Sequence, residues 1–167
     1  MNNIQALERI HQLLESKSTA KQITYKNLLT AFSLLAVESR RIVDELKEKP
    51  ASADQDVTVD FYFINEHEFH VKLAGDLLVF VFHTNVVTFD DEHAVMKTTY
   101  IREKEVNRYF GQIMIYNFMS DSLKFNRVND PGYLLARILI NHENRFMVEG
   151  DGQLGAIIVA TSPKNHW

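Results

Sequence analysis

Between Lys47 and Val57 the hydrophobic rhythm of the chain changes, and that change constrains the fold more than any motif does. Up to Leu46 apolar residues recur every three or four positions, as on one face of a helix; from Val57 they recur at every second position, as on one face of a strand. A chain that keeps its helical pattern at one end and its strand pattern at the other is expected to be α+β, with a sheet that meanders antiparallel.

Ile4, Leu7, Ile10 or His11, and Leu14 define a first helix, which Ser16 to Ser18 interrupt. Thr19 followed by Gln22 matches a capping box, in which hydroxyl and amide satisfy each other's orphan backbone donors, so a second helix is expected to start there. Its apolar positions Tyr25, Leu28, Phe32, Leu35, Ile42 and Leu46 follow a heptad, with Ser39 filling the gap. Such a seam either covers the sheet or pairs with a second subunit about a two-fold axis. The charged stretch 47–56, which contains Pro50, reads as a linker.

Strands are expected from 57 to 63, 69 to 73, 77 to 89, 95 to 101, 108 to 118 and 123 to 127. Asp130-Pro131 suits a helix entry, and Leu134, Leu135, Ile138 and Leu139 give the helix its stripe, with Tyr133 and Arg137 stacked on its exposed side. Segments 146–149 and 153–161 flank Asp151-Gly152 and form a closing hairpin. The expectation is one domain over residues 1–167: two helices within residues 1–46, the linker, and a sheet over residues 57–167 of about six to eight strands with one inserted helix.

The stretch F-I-N-E-H-E-F-H, residues 63–70, is an H-x-x-H sequence whose meaning depends on register. Opposed residues of an antiparallel pair share a face. A three-residue loop at Asn65 to His67 sets Phe63 against Phe69, Phe61 against Val71 and Val59 against Leu73, all apolar. It also sets Tyr62 against His70 and Asp60 against Lys72 on the other face, while His67 falls in the turn. A contiguous two-histidine metal clip is therefore disfavoured. For the next hairpin, a turn at Gly75-Asp76 opposes Leu73 with Leu78, Val71 with Phe80, Phe69 with Phe82 and Glu68 with His83. Glu68, His70 and His83 then converge on the outer face with Tyr62 beside them, a set able to hold a metal ion or a small ligand. Leu77, Val79 and Val81 share that face and need a cover, which is a helix, a second subunit or a ligand.

Other constellations are weaker. Asp90-Asp91-Glu92-His93 lacks the glycine and distal glutamate of a calcium loop. Ser120-Asp121-Ser122 has no glycine-flanked elbow, and the glycines at 150, 152 and 155 precede a strand pattern rather than the helix a phosphate cradle requires. Lys124, Arg127 and Arg137 give at most a small basic site. Asn117 and Tyr116 interrupt an apolar strand, and a buried amide there belongs either to a satisfied network or to a pocket.

With 167 residues, no cysteine and a formal net charge of −4, a cysteine-ligated metal and a thiol nucleophile are excluded and a nucleic-acid partner is disfavoured. The start M-N-N-I-Q-A-L-E-R-I lacks a signal-peptide pattern and no apolar run is long enough to span a bilayer, so the chain reads as cytoplasmic with no membrane segment. No complete catalytic signature is present and no cofactor is implied. The expectation is a non-enzymatic binding or scaffold protein, dimeric, using helix 19–46 or the outer sheet face. The alternative is a ligand or metal site around Glu68, His70 and His83, with Tyr62, Asn117 and His93 as further candidates.

Overall fold

The computed structural model describes residues 3–49, 57–125, 132–150 and 157–159, the last three, like 123 and 124, by backbone alone. The architecture is α+β. Helix α1 (Asn3–Leu13) runs through a π-helical turn (Leu14–Ser18) directly into α2 (Thr19–Lys47). Strands β1 (Val59–Asn65), β2 (Glu68–Leu73) and β3 (Asp76–Val87) follow, then a 3-10 turn (Ala94–Lys97), α3 (Thr99–Glu103) and a second 3-10 turn (Glu105–Arg108). The chain continues with β4 (Phe110–Met119), α4 (Ser120–Lys124), β5 (Tyr133–Ile140), β6 (Phe146–Gly150) and β7 (Ile157–Val159). All the strands lie in one antiparallel meander in the order β1-β2-β3-β4-β5-β6-β7.

The two expected N-terminal helices are one continuous helix. Ser18 has helical backbone angles and no side-chain cap. The hydroxyls that suggest an N-cap turn backwards instead: Ser16 Oγ donates to the Gln12 carbonyl at 2.7 Å and Thr19 Oγ1 to that of Leu14 at 3.2 Å. Bonding to the preceding turn lets serine and threonine sit inside a helix.

α2 lies on one face of the sheet through Ala20, Thr24, Leu28, Phe32, Ala36 and Val43, all buried. The heptad seam is thus spent on the sheet, and Ile42 and Leu46 at its end are exposed. Opposite lie Phe69, Val71, Phe80, Phe82, Ile113 and Ile140. Phe69 and Phe80 stack at 4.4 Å, and Phe32 meets Phe69 at 5.2 Å and Phe82 at 5.8 Å. Gly111 on β4 makes room for the helix, since a Cβ there would stand 2.8 Å from Leu28 Cδ2.

The other face is covered at one end by the β3–β4 excursion. Val95, Met96 and Ile101 pack on Phe110, Leu139 and Met147. Residues 95–101 are not the expected strand; they coil because His93 Nδ1 accepts from the Val95 amide and Thr98 Oγ1 from the Ile101 amide, each starting a helical turn. Expected strand 123–127 is represented by the short helix α4, with 126 and 127 outside the described residues.

The expected helix at Leu134 to Leu139 is strand β5, paired to β4 with Ile113 opposite Ile138 and Gly111 opposite Ile140. An apolar run of that length fits either state, and two-sided burial decides it: Ile138 and Ile140 face α2, whereas Leu139 packs on the excursion. Tyr133 and Arg137 therefore lie on a strand rather than on a helix face, and Arg137 is bonded to Glu149. Asp130, Pro131, Asp151 and Gly152 lie outside the described residues.

Candidate functional site

The first hairpin has the expected register, with Val59, Phe61 and Phe63 opposite Leu73, Val71 and Phe69, and Tyr62 opposite His70. His67 belongs to the turn, where its amide is held by Asn65 Oδ1 at 2.8 Å and its ring packs against Phe82 at 4.9 Å on the helix side. His70 takes the other face. The H-x-x-H pair is split by the sheet.

The second hairpin corrects the expectation. Its turn is Ala74-Gly75, and Leu73 pairs with Asp76, so Val71 opposes Leu78, His70 opposes Val79 and Glu68 opposes Val81. The register is two residues from the expected one. A shift of two preserves every face, which keeps Glu68 and His70 outward, but carries His83 beyond the end of β2. His83 instead opposes Gln112 on β4 and accepts from the Asn85 amide through Nδ1 at 3.3 Å. Among the described residues no group of three or more His, Asp or Glu side chains is placed to hold a metal ion.

Glu68 and His70 do meet, with Glu68 Oε1 2.6 Å from His70 Nε2. Spacing i, i+2 on a strand puts both on one face, and the carboxylate accepts the Nε2 proton. His70 is buried, and its Nδ1 is shut off from solvent with no hydrogen-bond partner. His70 lines a cleft of about 780 Å³ with Tyr62, Ile64 and Lys72 of the first hairpin, Leu77, and Ser120 and Asp121 of α4. Burial and the nearby Asp60 carboxylate raise the Tyr62 hydroxyl above its ordinary value.

Lys72 has Asp60 opposite it, as the register expects. Asp60 instead pairs with Lys47 at 2.8 Å, and the Lys72 ammonium donates to Thr58 Oγ1 at 2.9 Å. Lys72 thus lines the cleft without an ion-pair partner among the described residues. Asn117 stands on the helix-side face opposite Leu78, where its Nδ2 donates to Asp76 Oδ1 at 3.1 Å and to the Tyr133 hydroxyl at 3.3 Å. It does not join the His70 cluster. His93 lies in a third place, its ring stacked on Phe89 at 4.2 Å and its Nε2 3.0 Å from Glu149, which also takes the Arg137 guanidinium at 2.6 Å.

A second polar cluster is not visible as such in the sequence. The Tyr100 hydroxyl donates to Glu143 Oε2 at 2.8 Å and accepts from Asn141 Nδ2 at 2.7 Å. Asn141 Oδ1 accepts the amides of Glu143 and Arg145, and Asn27 of α2 donates to the carbonyls of Asn141 and His142. Burial, chiefly, pushes the Tyr100 hydroxyl up to about 12. This knot ties the β5–β6 turn to α2 and to the excursion. The asparagines of N-H-E-N are its only sequence signal.

The helix offers the remaining surface. No residue of α1 is buried, and Ile4, Leu7, Ile10, Leu13 and Leu14 are all exposed, Ile4 at 72% and Leu7 at 67%. At its base Lys17 pairs with Glu105 at 2.8 Å, which anchors the π turn to the excursion. No helix among the described residues is long and apolar enough to cross a membrane. Comparison with family models, with curated proteins and with solved structures finds no match for this chain.

Proposed function

We propose that this is a non-enzymatic cytoplasmic binding or scaffold protein that self-associates through the helical arm 3–18. One observation carries the reading: five large apolar side chains line an arm that buries none of them. Single exposed leucines are ordinary, but a contiguous exposed stripe marks a contact surface. The contact moves from helix 19–46, whose seam faces the sheet, to the segment before it.

A second copy of this chain fits the arm. The spacing Ile4, Leu7, His11, Leu14 reads the same in both directions about Arg9, so an antiparallel copy sets Ile4 against Leu14 and Leu7 against His11, as a two-fold axis requires. The arm carries Glu8 and Glu15 against Arg9 and Lys17, so copies do not repel one another. Burying an Ile or Leu fully is worth about 1.5–3 kcal/mol, so two arms at half burial gain roughly 7–15 kcal/mol. Association itself costs about 4–15 kcal/mol. The expected dimer is accordingly concentration-dependent.

Sedimentation equilibrium over a concentration series tests this. The wild type should pass from monomer to dimer, and Leu7→Asp or Ile10→Asp should remain monomeric with unchanged circular dichroism. A wild type monomeric throughout, or a dimer indifferent to both substitutions, refutes the reading. A second reading, a small-ligand site in the outer-face cleft, is favoured by the unpartnered Nδ1 of His70.

A further inference from the structure

We infer that the outer-face cleft binds a monocarboxylate with an apolar chain, the carboxylate lying between His70 and Lys72. This rests on the second reading above and names the chemistry of its ligand.

Burying a polar atom without a partner is costly, and such atoms are rare enough that each calls for an explanation. His70 Nδ1 is one, and Glu68 has already fixed what the other ring nitrogen does. Because the Nε2–H donates to the carboxylate, Nδ1 is left either to accept from a ligand donor or, where it carries a proton, to donate to a ligand anion. Lys72 decides for the anion. It is two residues along β2 on the same face, about 7 Å away by strand geometry, and it has no carboxylate of its own among the described residues. Lys72 lacks an anion, and His70 Nδ1 lacks a partner of any kind.

The rest of the cleft selects among anions. Glu68 beside His70 and Asp121 at the exposed rim are both carboxylates, which disfavours a phosphate dianion relative to a single charge. Leu77, Ile64 and Val57 supply an apolar wall, and Leu77 is buried among them. Ser120 provides a hydroxyl able to complete the shell of a carboxylate. A volume of about 780 Å³ suits a small organic acid. The mixture of one polar end and an apolar wall is that of ordinary small-molecule sites.

The test uses the full chain, sodium octanoate as probe, and 1-octanol, octylamine and inorganic phosphate as comparisons. Nitrogen-15 NMR of the imidazoles reads the site, with a thermal melt alongside. Octanoate should shift the His70 imidazole nitrogen resonances saturably and raise the melting temperature. Lys72→Met, at a half-buried position, and His70→Gln should each weaken octanoate binding about tenfold or more. Lys72→Met keeps the test sound should His70→Gln fold poorly. If 1-octanol, octylamine or phosphate perturbs His70 and octanoate does not, the carboxylate assignment falls while the ligand site stands. If no probe perturbs His70, both fall.

Discussion

The contact of α2 with the sheet passes through one point where the backbone of β4 comes close enough to the helix to exclude even a methyl group. A Cβ on Gly111 would lie 2.8 Å from Leu28 Cδ2 and 3.0 Å from Leu28 Cβ, closer than real contacts allow. Leu28 is fully buried, so it has nowhere to retreat. Gly111→Ala should therefore cost about 1–3 kcal/mol as an overpacking substitution. Leu28→Ala, which opens a cavity, should cost about 2–5 kcal/mol.

The two defects are complementary. In the double variant the alanine methyl on β4 no longer meets Cγ and Cδ2 of residue 28, while the contact with its Cβ remains, so the cost should fall short of the sum of the singles by about 1 kcal/mol. Urea denaturation of all four proteins measures this, with the midpoint reporting stability and an unchanged slope confirming that the same surface is exposed. Additivity within about 0.5 kcal/mol would mean that helix and strand do not meet as described.

The Tyr100 hydroxyl, held up at about 12, should make the protein lose stability as pH rises from about 10, where the unfolded chain ionises, through 12. In urea midpoints across that window, the advantage of wild type over Tyr100→Phe should shrink, and a constant advantage would refute the assignment. Burial lowers the His142 pKa below 6.5, because the site penalises the imidazolium. Its NMR titration midpoint should therefore lie below that value, and stability should fall as pH drops below 6.5, where the unfolded chain takes up a proton that the folded chain refuses. Ala74 turns the second hairpin with a φ of 53°, a left-handed conformation that costs an L residue about 1–2 kcal/mol, so Ala74→Gly should raise the urea midpoint.

Legibility in the sequence follows how much each pattern excludes. Between β1 and β2 the alternation of Val59, Phe61 and Phe63 meets that of Phe69, Val71 and Leu73, and only one register keeps a face apolar. From Leu77 to Phe82 every residue is apolar, so a slip of two goes unnoticed, and the glycine at 75 points to a turn one residue late because Ala74 carries the strained φ. The slip costs the candidate site His83 but not the Glu68–His70 pair, whose face depends only on parity. Lys72 looks paired in the sequence because the residue opposite it is an aspartate; that carboxylate belongs to Lys47, a residue the local pattern could not bring near. β5 escapes a sequence reading for the same reason that the cleft does: pairings with distant strands, not local preference, decide what an apolar run becomes.

The π turn at Leu14–Ser18 has a consequence beyond joining two helical segments. In the sequence, Ile4, Leu7, His11 and Leu14 continue in heptad phase through Ser18 and Lys21 to Tyr25 and Leu28. One extra residue in that turn rotates everything before it by about 100° relative to a plain α-helix. The direction in which the arm presents its stripe is thus set by a single residue of phase, independently of the packing that fixes α2. Loss or gain of one residue there would re-aim the arm while leaving the sheet and its cleft untouched, a dial on which association can be tuned without disturbing the fold.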